Sequence, residues 1–255
     1  MTSPEPPRGE TARRPGDDTV RLAVWSGPRN ISTALMRSWE NRGDTAVVDE
    51  PLYAHYLLAT GLDHPGREEV IAAGETDWRR VVDTLLGPAP GGARVFYQKH
   101  MAHHLLLDMD RDWLAGLTNV LLIRDPREVV ASYVRSRATV TVEDTGLPQQ
   151  VRLHDELSPP VLDAADVLRR PEPYLRALCE HAGVDFTPRM LAWPPGPRDS
   201  DGVWGRYWYE AVWRSTGFAE HRPRRPGLTG AAAEVAEECL PLYHRLHQTR
   251  AQLVS

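Results

Sequence analysis

The sequence predicts an α/β fold in three layers, a central parallel sheet of about five strands with helices on both faces. Two observations carry this expectation. Short apolar runs alternate with segments of helical length, the signature of βαβ units, and two of those runs pass into a helix through a polar turn. A chain of 255 residues with 41% hydrophobic content can bury one full core.

The first strand is placed at Arg21 to Trp25, inside the apolar run that starts at Val20. Ser26 to Asn30 supply turn residues, and Ser32 or Thr33 can cap a helix reaching about Arg42. Further strands fall at Thr45 to Val48, Arg94 to Gln98, Asn119 to Ile123 and Val161 to Ala164, with helical segments between them. Pro126 suits the first turn of the helix after the fourth strand. Leu228 to Leu253 reads as a closing amphipathic helix. Residues 1–18 contain almost no apolar side chains and several prolines, so they are expected to be a disordered tail before a domain spanning 19–255.

Composition narrows the function. The net charge of −5 disfavours a nucleic-acid surface, although His221 to Pro226 is locally basic. There is neither a signal-peptide pattern nor an apolar run of the ~20 residues that cross a bilayer, which implies a cytoplasmic protein without a membrane partner. Cys179 and Cys239 form no disulfide framework, and Cys179 sits among apolar helical residues as a buried thiol does. The oligomeric state is not legible; a homodimer is compatible with the sequence.

Ligands of open parallel sheets bind at the carboxyl ends of the strands, and the polar motifs follow that rule. After the first strand comes Gly27-Pro28-Arg29-Asn30-Ile31-Ser32-Thr33. Free N–H groups at a helix start, the helix dipole and the Arg29 guanidinium together suit a phosphate or sulfate group. The loop is not a Walker A motif, because it offers Gly27 but no Gly-Lys-Ser/Thr end. Asp49 and Glu50 follow the second strand, and Lys99 and His100 the third. Arg124 ends the fourth, with Ser132 two turns along the next helix. Arg124 and Ser132 could clamp one phosphate; the plainer reading pairs Arg124 with Asp125 or Glu128 and leaves Ser132 on the surface.

Taken together, these blocks resemble the sulfotransferases that use 3′-phosphoadenylyl sulfate (PAPS). The segment Gly27 to Thr33 looks like that family's 5′-phosphosulfate loop, with Arg29 where lysine is usual, and Arg124 and Ser132 match its 3′-phosphate pair in type and spacing. Val161 to Phe186 is similar to a further family pattern of strand, turn, Pro-started helix and glycine exit. The resemblance spans about Arg21 to Phe186 and points to a bacterial branch also seen beside aminotransferase-like proteins. It implies a P-loop-like fold and transfer of a sulfuryl group from PAPS to a hydroxyl or amine of a small-molecule acceptor, releasing PAP without a metal. Arg29 and Lys99, with the loop amides, would then serve the leaving group.

Two residues compete for the base. Glu50, in Asp49-Glu50-Pro51, resembles the Glu-Pro element of carbohydrate-type sulfotransferases. His100 resembles the histidine of aryl and steroid enzymes, but with one residue fewer between it and the lysine. The group His100, His103 and His104 lacks an acidic or thiol third ligand on the same helical face, so no metal site is expected. The aromatic stretch Gly202 to Phe218 reads as core or lid, or as a wall of the acceptor pocket or a stack against adenine. His221 to Pro226 is either a solvated loop or a flap over the 3′-phosphate. Two other classes fit part of the sequence: an ATP-dependent small-molecule phosphotransferase, and a non-catalytic nucleotide-binding module.

Overall fold

In the computed structural model, residues 18–135, 139–222 and 226–250 are described. Five parallel strands form one sheet in the order β2-β3-β1-β4-β5: β1 (Val20–Ser26), β2 (Thr45–Asp49), β3 (Val95–Met101), β4 (Thr118–Ile123) and β5 (Val161–Asp163). The helices are α1 (Ser32–Glu40), α2 (Tyr53–Thr60), α3 (Arg67–Ala73), α4 (Trp78–Leu86), α5 (Pro126–Tyr133), α6 (Leu147–Leu157), α7 (Ala164–Arg169), α8 (Pro171–Ala182), α9 (Gly205–Trp208), α10 (Glu210–Trp213) and α11 (Gly230–Thr249).

Side chains alternate across a strand, and here the two sets enter two separate cores. Leu22 and Val24 of β1 pack with Val95, Tyr97 and Leu122 against Leu35 and Trp39 of α1 and Leu178 of α8. Ala23 and Trp25 pack with Phe96, Leu121 and Ile123 against α4, α6 and α11, where Leu85, Val151 and Leu246 meet them. The sheet is therefore buried on both faces, as the continuous apolar runs require. A third, smaller cluster joins Tyr53, Tyr56 and Leu57 of α2 to Val70, Trp204 and Tyr209. From β1 the sheet grows one way through β3 and β2 and the other way through β4 and β5. The strands' carboxyl ends open a crevice where these two directions part.

Most strand ends shift by a residue or so, Asp49 for example closing β2 rather than following it, and one difference matters for chemistry. β3 runs on to Met101, so Lys99 and His100 lie within the strand rather than after it. β5 stops at Asp163, whose carboxylate accepts a hydrogen bond from Ala165 N and caps α7. The N-cap of α1 is Ile31 in the left-handed region, with no side-chain cap, so neither Ser32 nor Thr33 caps this helix. α11 starts at Gly230 rather than Leu228; its expected last residues, like all of the expected tail except Asp18, lie outside the described residues. Both cysteines are free and buried, and burial pushes the Cys179 thiol up to about 11.

Candidate active site

The loop after β1 is built to leave backbone N–H groups open. Arg29 (φ 62°) and Ile31 (φ 58°) are both left-handed without being glycine, a strain on the order of 1–3 kcal/mol each. Three contacts hold the loop there. Asn30 Nδ2 donates to the carbonyl of Leu122 at 3.0 Å, Arg29 Nε donates to Ser132 Oγ at 2.9 Å, and Arg124 Nη1 donates to the carbonyl of Arg29 at 2.8 Å. Gly27 lies behind the loop, where an added Cβ would stand 2.0 Å from the Thr145 carbonyl oxygen. Its part is to let two backbones approach, not to line the cleft. With no side chain capping α1, the first-turn amides are left for a ligand.

Pro28, Arg29, Asn30, Ile31, Ser32 and Thr33 line one end of a cleft of about 230 Å³, together with Arg124 and Ser132. Arg29 sits below its usual pKa because of burial and the nearby charges of Arg135 and Arg124. A guanidinium stays protonated under such pressure, so this end of the cleft carries positive charge in search of an anion. Arg124 also makes the plainer pairing: its Nε and Nη2 donate to Glu128 Oε2 at 2.9 and 2.7 Å. Three of its five N–H groups are thus engaged with protein, and two remain for a ligand.

The other polar centre is Glu50, just past β2 and itself left-handed (φ 44°). Lys99 Nζ donates to Asp49 Oδ1 at 2.7 Å, to Glu50 Oε1 at 2.5 Å and to Tyr209 OH at 2.7 Å. An ammonium has three donors, so Lys99, although it lines the cleft, has every N–H engaged within the protein and none left over for the leaving-group role the sequence suggested. It positions Glu50 instead. The Tyr209 hydroxyl donates to Asp49 Oδ2 at 2.7 Å and accepts from Trp204 Nε1 at 3.1 Å. Among the described residues, every protein partner of the Glu50 carboxylate is on Oε1. Oε2 is left for whatever enters the cleft, which Glu50 lines.

Burial, opposed by Lys99 and reinforced by Asp49, raises the Glu50 pKa above the ordinary carboxylate value. Burial also works against the Lys99 charge, but the two carboxylates outweigh it and hold Lys99 above its usual range. The site therefore contains a permanently protonated lysine and a carboxylate that is a better base than a solvated one.

His100 is elsewhere. Its ring stacks on Trp25 at 4.0 Å, on the α4, α6 and α11 side of the sheet, with Nε2 3.3 Å from Gln98 Oε1. Adjacent residues of a strand point to opposite faces, so Lys99 and His100 cannot both serve one site. Burial and then the Lys99 charge push His100 down to about 3. His103 and His104, which follow β3 in a short 3₁₀ turn, do line the cleft, as do His64 and Trp208. Of the aromatic stretch, Trp204 and Tyr209 pack in the third core, and Trp208, Tyr209 and Val212 line the cleft. No group of His, Cys, Asp and Glu among the described residues has the geometry of a metal site. The basic stretch His221 to Pro226 lies partly outside the described residues.

Three neutral, buried histidines make acid a direct threat to the fold. His100 and His103 have native pKa values of about 3 and about 4, and His104 lies well below its usual 6.5. A depressed native pKa contributes stability that is complete above the unfolded value of 6.5 and is lost as pH falls toward the native one. Between pH ~6.5 and ~4.5 the loss is about 2 kcal/mol each for His100 and His103, His104 acts in the same direction, and Glu50, shifted the opposite way, partly offsets it. The melting temperature is expected to drop by roughly 10 °C over that window; a flat profile would contradict neutral burial.

A family profile described as a sulfotransferase domain matches residues 20–251. The chain is 34% identical over 231 residues to branched-chain-amino-acid aminotransferase-like protein 2 of Arabidopsis thaliana, covering 88% of this chain and 41% of that protein. It is 36% identical over 228 residues to protein 1 of the same name and organism, covering 87% and 40%. The chain thus spans about two fifths of the length of these curated relatives. The sulfotransferase domain of the Synechococcus PCC 7002 olefin synthase shares the fold, with a TM-score of 0.50 and 16% identity over 90% of this chain and 98% of that one. With nearly all of the described chain inside the profile, this protein belongs to the sulfotransferase-domain family.

Proposed function

We propose that this sulfotransferase takes its sulfuryl group from PAPS and passes it to a hydroxyl or amine of a small molecule, with Glu50 as the base. The observation that carries this reading is one cleft with two ends: open helix amides and arginines at one, and at the other a carboxylate whose Oε2 has no partner among the described residues. A phosphosulfate would lie on the loop amides and Arg29, and the 3′-phosphate between Arg124 and Ser132. The acceptor atom attacks sulfur as the bond from sulfur to the phosphate oxygen breaks. Glu50 Oε2 takes the acceptor's proton, and the departing PAP carries its new charge into the cationic end. Oriented groups supply the catalysis, and no covalent intermediate is needed.

Incubating EDTA-dialysed protein with PAPS and a panel of alcohols, phenols, amines and amino acids tests this, with PAP as the measured product. PAP release that depends on an acceptor is the expected result. No release with any acceptor would defeat the reading, and activity with ATP that appears only on adding magnesium would replace it with phosphotransfer.

A further inference from the structure

Beyond Glu50 the cleft wall includes Tyr53, Met101, His103, His104, Trp208 and Val212. It carries polarity without charge. The His104 ring is clamped between Tyr53, at 4.7 Å and 4°, and Tyr56, at 4.6 Å and 28°; His103 meets it edge-on at 4.5 Å. With its faces covered, His104 has only its edge for hydrogen bonding. The deeper polar groups of the site, Lys99, Asp49 and Tyr209, are bonded to one another. The two imidazoles are not: neither bonds to any described residue, and Nδ1 of each is enclosed without a partner. Burial keeps both uncharged.

We infer that this half of the cleft binds an uncharged acceptor that carries, besides the hydroxyl to be sulfated, a second hydroxyl or carbonyl group, and that His103 and His104 select for that second group. The acceptor role rests on the sulfotransferase reading above; the chemistry of the pocket does not. A neutral imidazole offers one donor and one acceptor nitrogen. A hydroxyl can bond with either, and Nε2 of each ring, which is not among the enclosed atoms, is the nitrogen through which a ligand in the cleft would bond. A carboxylate meets no cation among these six wall residues, and the Lys99 donors are already taken. An ammonium held at this wall would be desolvated against neutral imidazoles that offer it no counter-charge. The rings of Tyr53 and Trp208 favour a flat apolar body between the two polar groups.

The test is calorimetric titration of the protein, free and PAP-saturated, with resorcinol, phenol, 3-hydroxybenzoate and 3-hydroxybenzylamine. Resorcinol is expected to bind about tenfold more tightly than each of the other three. The substitutions His103→Phe and His104→Phe, with melting checked, should bring resorcinol down to the affinity of phenol, and His→Gln at either position should restore part of the difference. Equal or tighter binding of 3-hydroxybenzoate, no distinction between resorcinol and phenol in the wild type, or no binding of any of the four would overturn the inference. The resorcinol preference without PAP binding would remove the donor assignment alone; PAP binding without the preference would remove the acceptor inference alone.

Discussion

The substitution Glu50→Gln is expected to lower turnover with PAPS by about 10²–10⁴-fold, the usual contribution of a positioned general base, while PAP affinity changes by no more than a few-fold. The amide keeps the shape of the side chain and still accepts from Lys99 through its carbonyl oxygen, but it cannot take a proton. The wild-type rate should rise with pH through the Glu50 pKa, because the active form is the deprotonated carboxylate and its pKa lies above the ordinary carboxylate value. That limb should vanish in Glu50→Gln. Near-normal turnover in this variant would end the assignment. A limb surviving in Glu50→Gln but absent in His100→Asn would move the role to the imidazole, against its place behind the sheet.

The largest effect on stability is expected at Lys99. In Lys99→Met two buried carboxylates lose their shared counter-charge, and breaking a buried pair by removing one partner costs about 3–5 kcal/mol. For a chain of this size that is a fall in melting temperature of roughly 10 °C. Turnover should fall as well, since Lys99 fixes Glu50 Oε1. Removing one of the stranded charges with Asp49→Asn in the same chain should recover part of the stability, as a shared network requires. A Lys99→Met protein that melts with the wild type would show that the ammonium is not paired as the geometry states.

How much of this was legible in the sequence follows from how local each feature is. All five strands could be placed from apolar runs because a sheet buried on both faces needs them. That Pro28 to Thr33 and Arg124 with Ser132 would meet at one cleft was legible because each group is contiguous or spans one helix, and each follows its own strand. His100 was misplaced because β3 was expected to end at Gln98. Once the strand runs to Met101, alternation alone sends Lys99 and His100 to opposite faces. Tyr209 could not have been found as a partner of Lys99, since 110 residues separate them and only tertiary packing joins them. The saturation of Lys99, and hence its role in positioning Glu50 rather than serving the leaving group, depends on that same distant hydroxyl. His103 and His104 were weighed only as metal ligands, because their edges and missing partners are properties of packing.

The central claim is that the cationic end of the cleft recognises a nucleotide bearing a 3′-phosphate, and calorimetric titration of the wild type with PAP and with AMP tests it most directly. Charge-assisted hydrogen bonds are worth about 1.5–3 kcal/mol, so PAP should bind about tenfold to a hundredfold more tightly than AMP. The substitution Arg124→Ala should erase most of that difference while leaving AMP nearly unchanged. Equal affinity of the wild type for PAP and AMP would contradict the account.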